Sequence, residues 1–328
     1  MKRFIFFAAF IFLFFNCSKD DGINEDLTAD LSGVWSVIDS SESVPLGGIW
    51  GETDCLYAVG GSLAVDPTIH LGTILKNIDG EWIVDKNDWD SRLVLKDIVG
   101  KSCNEIYIVG QFADGNPLPG VLLKYDGSKW TQERYENIFH KIKIIDSEIY
   151  ITASNGLFKL ENDSFNKILD FEFHGTDIWG TKSNNLYLTG YSGEDDYILH
   201  YKGKEWVNML DSNSFSGNFI EEIVGISENE IYAVGTGGNI LKYNGKNWEY
   251  LKRGFNPIYG LEIFNSEELY FVTGLYWGIG EIYKYDIDSD KFEMVLEIDS
   301  PFYGIWGDKN LGIYASTGDG RIIQNEIK

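Results

Sequence analysis

One pattern recurs seven times along this chain of 328 residues, and it limits the possible folds more sharply than any other feature. Two copies make it plain: DIVGKSCNEIYIVG at 97–110 followed by GVLLKYDGSKW at 120–130, and EIVGISENEIYAVG at 222–235 followed by GNILKYNGKNW at 238–248. Each copy has an apolar triplet ending in Gly, a polar turn and an Ile/Leu-Tyr segment ending in Gly. After a variable gap comes a segment ending in Tyr, an Asp/Asn-Gly turn, and Trp. DIWGTKSNNLYLTG at 177–190 with YILHYKGKEW, and GIWGETDCLYAVG at 48–60 with GTILKNIDGEW, are further copies. Looser ones begin at Lys143, Gly260 and Gly304.

One tyrosine marks every copy: Tyr57, Tyr107, Tyr150, Tyr187, Tyr232, Tyr270 and Tyr314. Their mean spacing is ~43 residues, within the 40 to 45 typical of one four-stranded propeller blade. The apolar runs are short, rich in Ile, Val and Tyr, and bounded by Gly, Asn and Asp, which is the grammar of strands and hairpins rather than of paired helices. The expected fold is therefore all-β, a seven-bladed β-propeller of four-stranded antiparallel blades over residues 30–328. The seventh copy ends with only three strands, whereas DLSGVWSVID at 30–39 has no copy of its own. The N-terminal strand is thus expected to complete the last blade and close the ring, leaving no open edge.

The repeat resembles the IWG-x-DIYAVG-x-G-x-ILHYDG-x-W propeller repeats of bacterial exported proteins, over nearly all of residues 30–328. That resemblance speaks to fold and says little about activity. At the other end of the chain, Lys2 and Arg3 precede an apolar run from Ile5 to Phe15, which is too short for a spanning helix but suits a signal peptide. Cys17 follows at once, and then the polar run SKDDGINED. This resembles a bacterial lipoprotein signal with a loose box, FLFFNC, of the kind found in Bacteroidetes surface lipoproteins. The resemblance implies a signal peptide at 1–16, lipidation at Cys17, an acidic tether at 17–29, and an exported, outer-membrane-anchored protein facing the cell surface. More than one acyl chain would be needed for stable residence in the membrane. Outside the cytoplasm, Cys55 and Cys103 are permitted to pair, but their positions in the repeat differ by two residues, which leaves the pairing open.

The chain carries 51 acidic against 27 basic residues, a formal charge of −24, which argues against nucleic acid or an anionic bilayer as an electrostatic partner. The repeated Tyr and Trp residues are read as packing between blades, because a ligand site breaks the symmetry that packing respects. Candidate contact residues are those that differ between copies. They fall in the gaps after the second strand and in the links between blades, which open on one face. The principal ones are Trp277, Tyr276, Tyr191, Asp195, Asp196, Asp114 and His174. Aromatic rings beside carboxylates suit a glycan or a protein ligand.

Asp286, Asp288 and Asp290 alternate as in a calcium loop, but the rest of that motif is missing, so a hairpin turn is the better reading and no metal or other cofactor is expected. No nucleophile elbow, zinc motif or phosphate loop occurs, and no catalytic residue is singled out. The reading is a non-catalytic binding or scaffold protein for a glycan or an envelope or extracellular protein. The alternative is a polysaccharide hydrolase or lyase with acids at the channel mouth. Carboxylates converging with Arg or Tyr at the axis would favour the enzyme, whereas an exposed face carrying Trp277 and Tyr191 would favour binding.

Overall fold

Short runs that are apolar at nearly every position, such as Cys55–Gly60 and Gly312–Thr317, leave each four-stranded sheet with two apolar faces to cover, and stacking sheets around an axis covers both. The structure, a computed structural model, describes residues 35–38, 44–61, 72–89, 92–113, 118–161, 164–210, 215–275 and 278–325. It is a seven-bladed β-propeller with four antiparallel strands in every blade. The innermost strands, blades 1 to 7, are Leu46–Glu52, Leu93–Ser102, Phe139–Ile145, His174–Lys182, Ile220–Ser227, Ile258–Ile263 and Phe302–Asp308.

Closure follows the expectation. The strand Trp35–Ile38 pairs with Ile322–Asn325 as the outer strand of blade 7, with Trp35 opposite Asn325 and Ile38 opposite Ile322. The seven marker tyrosines are all buried. Several reach an aromatic ring of the following blade: Tyr57 meets Trp130 at 6.4 Å, Tyr107 meets Phe165 at 6.5 Å, and Tyr314 meets Trp82 across the closure at 6.5 Å. They therefore serve as inter-blade packing, as their repetition implies.

Cys55 and Cys103 form a disulfide between blades 1 and 2, with Cα atoms 5.8 Å apart. The two-residue offset is absorbed because Cys55 opens a strand whereas Cys103 sits in a turn, and Glu52 Oε1 accepts the Cys103 N–H at 2.6 Å to hold that turn against blade 1. Among the described residues, the one group of side chains close enough to hold a metal is Glu52, Cys55 and Cys103, and the disulfide already engages both sulfurs.

The segment at 191–197, which holds Tyr191, Asp195 and Asp196 and was expected to be a gap after the second strand, is instead a continued hairpin. Its strands extend to Ser192 and restart at Asp195 around Gly193, which takes a φ of 61° that glycine tolerates. The Asp286–Asp290 stretch is a hairpin turn, as preferred: Asp286 Oδ1 accepts the Ser289 N–H at 2.8 Å, and the Tyr285 hydroxyl donates to Asp290.

Candidate functional site

Every innermost strand carries a β-bulge near its start, and bulges re-aim side chains. The consequence is three stacked rings of side chains around the axis. The first ring, at the start of the strands, takes Gly47, Lys96, His140, Thr176, Glu221, Tyr259 and Tyr303. The second takes Gly48, Asp97, Lys141, Asp177, Glu222, Gly260 and Gly304. The third takes Trp50, Val99, Lys143, Trp179, Val224, Glu262 and Trp306.

The second ring is partly a fastening. Asp97 Oδ2 accepts the N–H of Ile142 in the next blade at 2.9 Å, Asp177 Oδ2 that of Ile223 at 3.1 Å, and Glu222 Oε2 that of Leu261 at 2.7 Å. Hydroxyls make equivalent bonds elsewhere, as when Ser316 Oγ donates to Gly47 O at 3.0 Å. Where blades 7 and 1 approach most closely, even a methyl is excluded, since a Cβ on Gly304 would lie 2.1 Å from Gly47 O. Lys141 crosses from blade 3 to blade 5 and meets Glu222 Oε1 at 3.1 Å. Lys143 stands 3.8 Å from the same oxygen and 3.9 Å from Asp177 Oδ1. Carboxylates do converge at the axis, the sign set for the enzyme alternative. Those of the second ring, however, hold the neighbouring blade, and lysines counter them.

The first ring lies on the face of the blade links. Backbone bonds tie the end of the second strand to the preceding link in several blades, including Gly61 N–H to Pro45 O, Ser154 N–H to Ile138 O and Gly318 N–H to Pro301 O. Here Lys96 Nζ lies 3.2 Å from His140 Nδ1, while His140 Nε2 lies 3.2 Å from Ser154 Oγ. An ammonium donating to Nδ1 leaves the proton on Nε2, so His140 is the neutral Nε2–H tautomer and donates to Ser154. The His140 and His174 rings meet at 4.2 Å, and the His174 and Tyr191 rings at 5.3 Å. Glu221 completes the cluster beside Lys96 and Tyr191.

Burial sets the charges at this mouth. It brings the Lys96 ammonium down to about 8, with Glu221 opposing. It pushes the Glu221 carboxyl up to about 7, with Lys141 opposing and Glu222 adding to the rise. His140 is held well below its ordinary value by burial, then by Lys96 and His174. His174 is lowered by burial and Lys96. On a strongly acidic protein the mouth is thus a nearly neutral patch of amine, imidazole, phenol and carboxyl groups, able both to donate and to accept hydrogen bonds.

Of the residues singled out from sequence, His174 and Tyr191 come together in this cluster. Asp195 is exposed at the hairpin turn and bridges to Ser216. Asp196 is 1% exposed, contrary to its reading as a surface contact. Its Oδ2 accepts the Asn218 N–H at 2.7 Å and its Oδ1 the Ile220 N–H at 3.1 Å, so it anchors the link into blade 5. Trp277, Tyr276, Asp114 and Cys17 lie outside the described residues. Sequence reasoning missed Lys96, His140 and Glu221. Their signal was a repeat column that does not repeat, the position just before the Asp/Gly of the triplet.

No family profile matches the chain, and no curated protein matches its sequence. Solved structures of similar shape include a WD40 β-propeller domain and two structures of YCF48. YCF48 bound to a D1 peptide has a TM-score of 0.67 at 13% identity, covering 90% of this chain and 97% of that one. YCF48 from Cyanidioschyzon merolae has a TM-score of 0.64 at 13% identity, covering 89% and 98%. The WD40 propeller domain of Doa1 has a TM-score of 0.67 at 9% identity, covering 89% and 96%. At these identities the likeness concerns the fold.

Proposed function

We propose that this protein is a non-catalytic receptor, carried on the outside of a bacterial envelope by acyl chains on Cys17, that holds a protein partner over the mouth formed by Lys96, His140, His174, Tyr191 and Glu221. The observation that carries the reading is the loss of sevenfold likeness in the first ring. The inter-blade tyrosines repeat from blade to blade, whereas the mouth residues differ in almost every blade, as a surface fitted to one asymmetric partner requires. Nearly neutral groups that both donate and accept suit a polypeptide backbone. That a propeller of this shape, YCF48, is found with a D1 peptide supports the same class of partner.

The test is a peptide array and a glycan array probed with the mature protein and with a His174→Ala/Tyr191→Phe variant. Peptide binding that falls at least tenfold in the variant is expected. Binding to sugars alone, or peptide binding indifferent to both changes, would refute the assignment. The anchor is checked by acyl labelling, which Cys17→Ser should abolish.

A further inference from the structure

Below the mouth, the channel widens on one side into a cavity of about 630 Å³. It exists because blades 1 and 7 carry Gly48 and Gly304 in the second ring, where blades 2 to 5 carry Asp97, Lys141, Asp177 and Glu222. Its walls include the indoles of Trp50 and Trp306 with the carboxyl of Glu262, which are successive third-ring residues of blades 6, 7 and 1. The stem of Glu262 lies over Gly307 as Trp50 lies over Gly100, so this acid takes the slot that an indole fills elsewhere.

The charges are unevenly paired. Three carboxyls line the cavity, from Asp97, Glu222 and Glu262, with Asp177 wholly buried beside Lys143, and Lys141 and Lys143 are the ammonium groups at their centre. Both ammonium groups lie against Glu222, and Lys143 also stands 3.9 Å from Asp177. Lys101, also on the wall, is 3.4 Å from Glu105 at the rim. Among the described residues, Glu262 has no ion-pair partner within 4 Å, and Asp177 Oδ1 is buried without a hydrogen bond. Burial pushes the Glu262 carboxyl up to about 8 and Asp177 up to about 6, with Lys143 opposing the rise in each.

We propose that this cavity binds an organic cation, an alkylguanidinium or alkylammonium group, with its charge against Glu262 and its flank on the indoles of Trp50 and Trp306. Indole faces attract such cations, and a desolvated site strengthens the attraction. A bare metal ion fits less well, because no three of the described channel carboxylates bring their oxygens within 4.8 Å of one another. An anion would bring like charge to Glu262, and a neutral ligand would leave that carboxyl without an ion-pair partner. The site stands independently of whether the mouth holds a protein.

The cation has two possible sources, a diffusible amine or a basic side chain of a bound protein. Calorimetric titration of the mature protein with butylguanidinium, with the uncharged isostere butylurea, and with N-acetyl-arginine methylamide separates them. Butylguanidinium is expected to bind at least tenfold more tightly than butylurea, and Glu262→Gln to remove that preference in a variant that still melts cooperatively. Equal or tighter binding of the arginine amide would identify a side chain as the source, and its exclusion a diffusible amine. Absence of binding by every cation, equal binding of butylurea, or an unchanged preference in Glu262→Gln would overturn the proposal. The comparison of charged with uncharged ligand on the unaltered protein decides the matter even if the variant fails to fold.

Discussion

Removing the bond between Cys55 and Cys103 perturbs the unfolded chain more than the native one, and the size of the effect follows from the sequence separation of 48 residues. In the chain-entropy model, closing a loop of about 49 residues restricts the unfolded ensemble by about 4 kcal/mol at 25 °C. For a propeller of this size, with about 2.1 cal/mol/K of unfolding entropy per residue, that corresponds to a fall in Tm of about 5 to 8 °C. The double variant Cys55→Ala/Cys103→Ala avoids leaving a lone thiol in the blade 1–blade 2 interface. Near-ultraviolet circular dichroism, strong in a chain with 10 Trp and 19 Tyr, would follow the melt. Protein made in an oxidising compartment should melt higher than the variant, and added reductant should bring the two together. An unchanged Tm in the variant, or free thiols at Cys55 and Cys103 in the unfolded, unreduced protein, would refute the reasoning.

Two further outcomes concern the channel. Lys141→Met leaves Glu222 buried without its partner at 3.1 Å, and should cost about 3 to 5 kcal/mol in urea unfolding. An unmoved midpoint would mean that Lys143 alone suffices for that carboxylate. Glu262, pushed up to about 8 by burial, keeps in the native state a proton that the unfolded chain releases near 4.5. It therefore lowers stability progressively as pH rises from about 4.5 to about 8. Glu262→Gln should be as stable as the unaltered protein near pH 5 and more stable at pH 8.5. Parallel stability–pH curves would show that Glu262 titrates normally.

The architecture was legible because each blade repeats its own local instructions. The Tyr57-to-Tyr314 series marks the sheets, the Asp-Gly and Asn-Gly turns mark the hairpins, and the unmatched strand near Trp35 marks the closure. The hairpin at 191–197 was misread because a run of Ser, Gly and acids looks like a loop until both strands are paired around Gly193. Asp196 was misread for a related reason, since its exposure depends on a link more than twenty residues away folding back onto its carboxylate. His174 and Tyr191 were noticed as irregular positions, but Lys96, His140 and Glu221 were hidden inside strands that otherwise read as ordinary repeats.

The sequence by itself determined the number of blades, the strand content and the manner of closure, since these depend on short-range periodicity and on a pattern that ends one strand short. Only the tertiary structure decided which side chains share the axis. A bulge in each innermost strand turns one non-repeating residue per blade toward the mouth, and closing the ring brings Lys96, His140 and Glu221 together from segments separated by up to 125 positions in the chain. The same closure sets Glu262 in one cavity with Trp306 and Trp50.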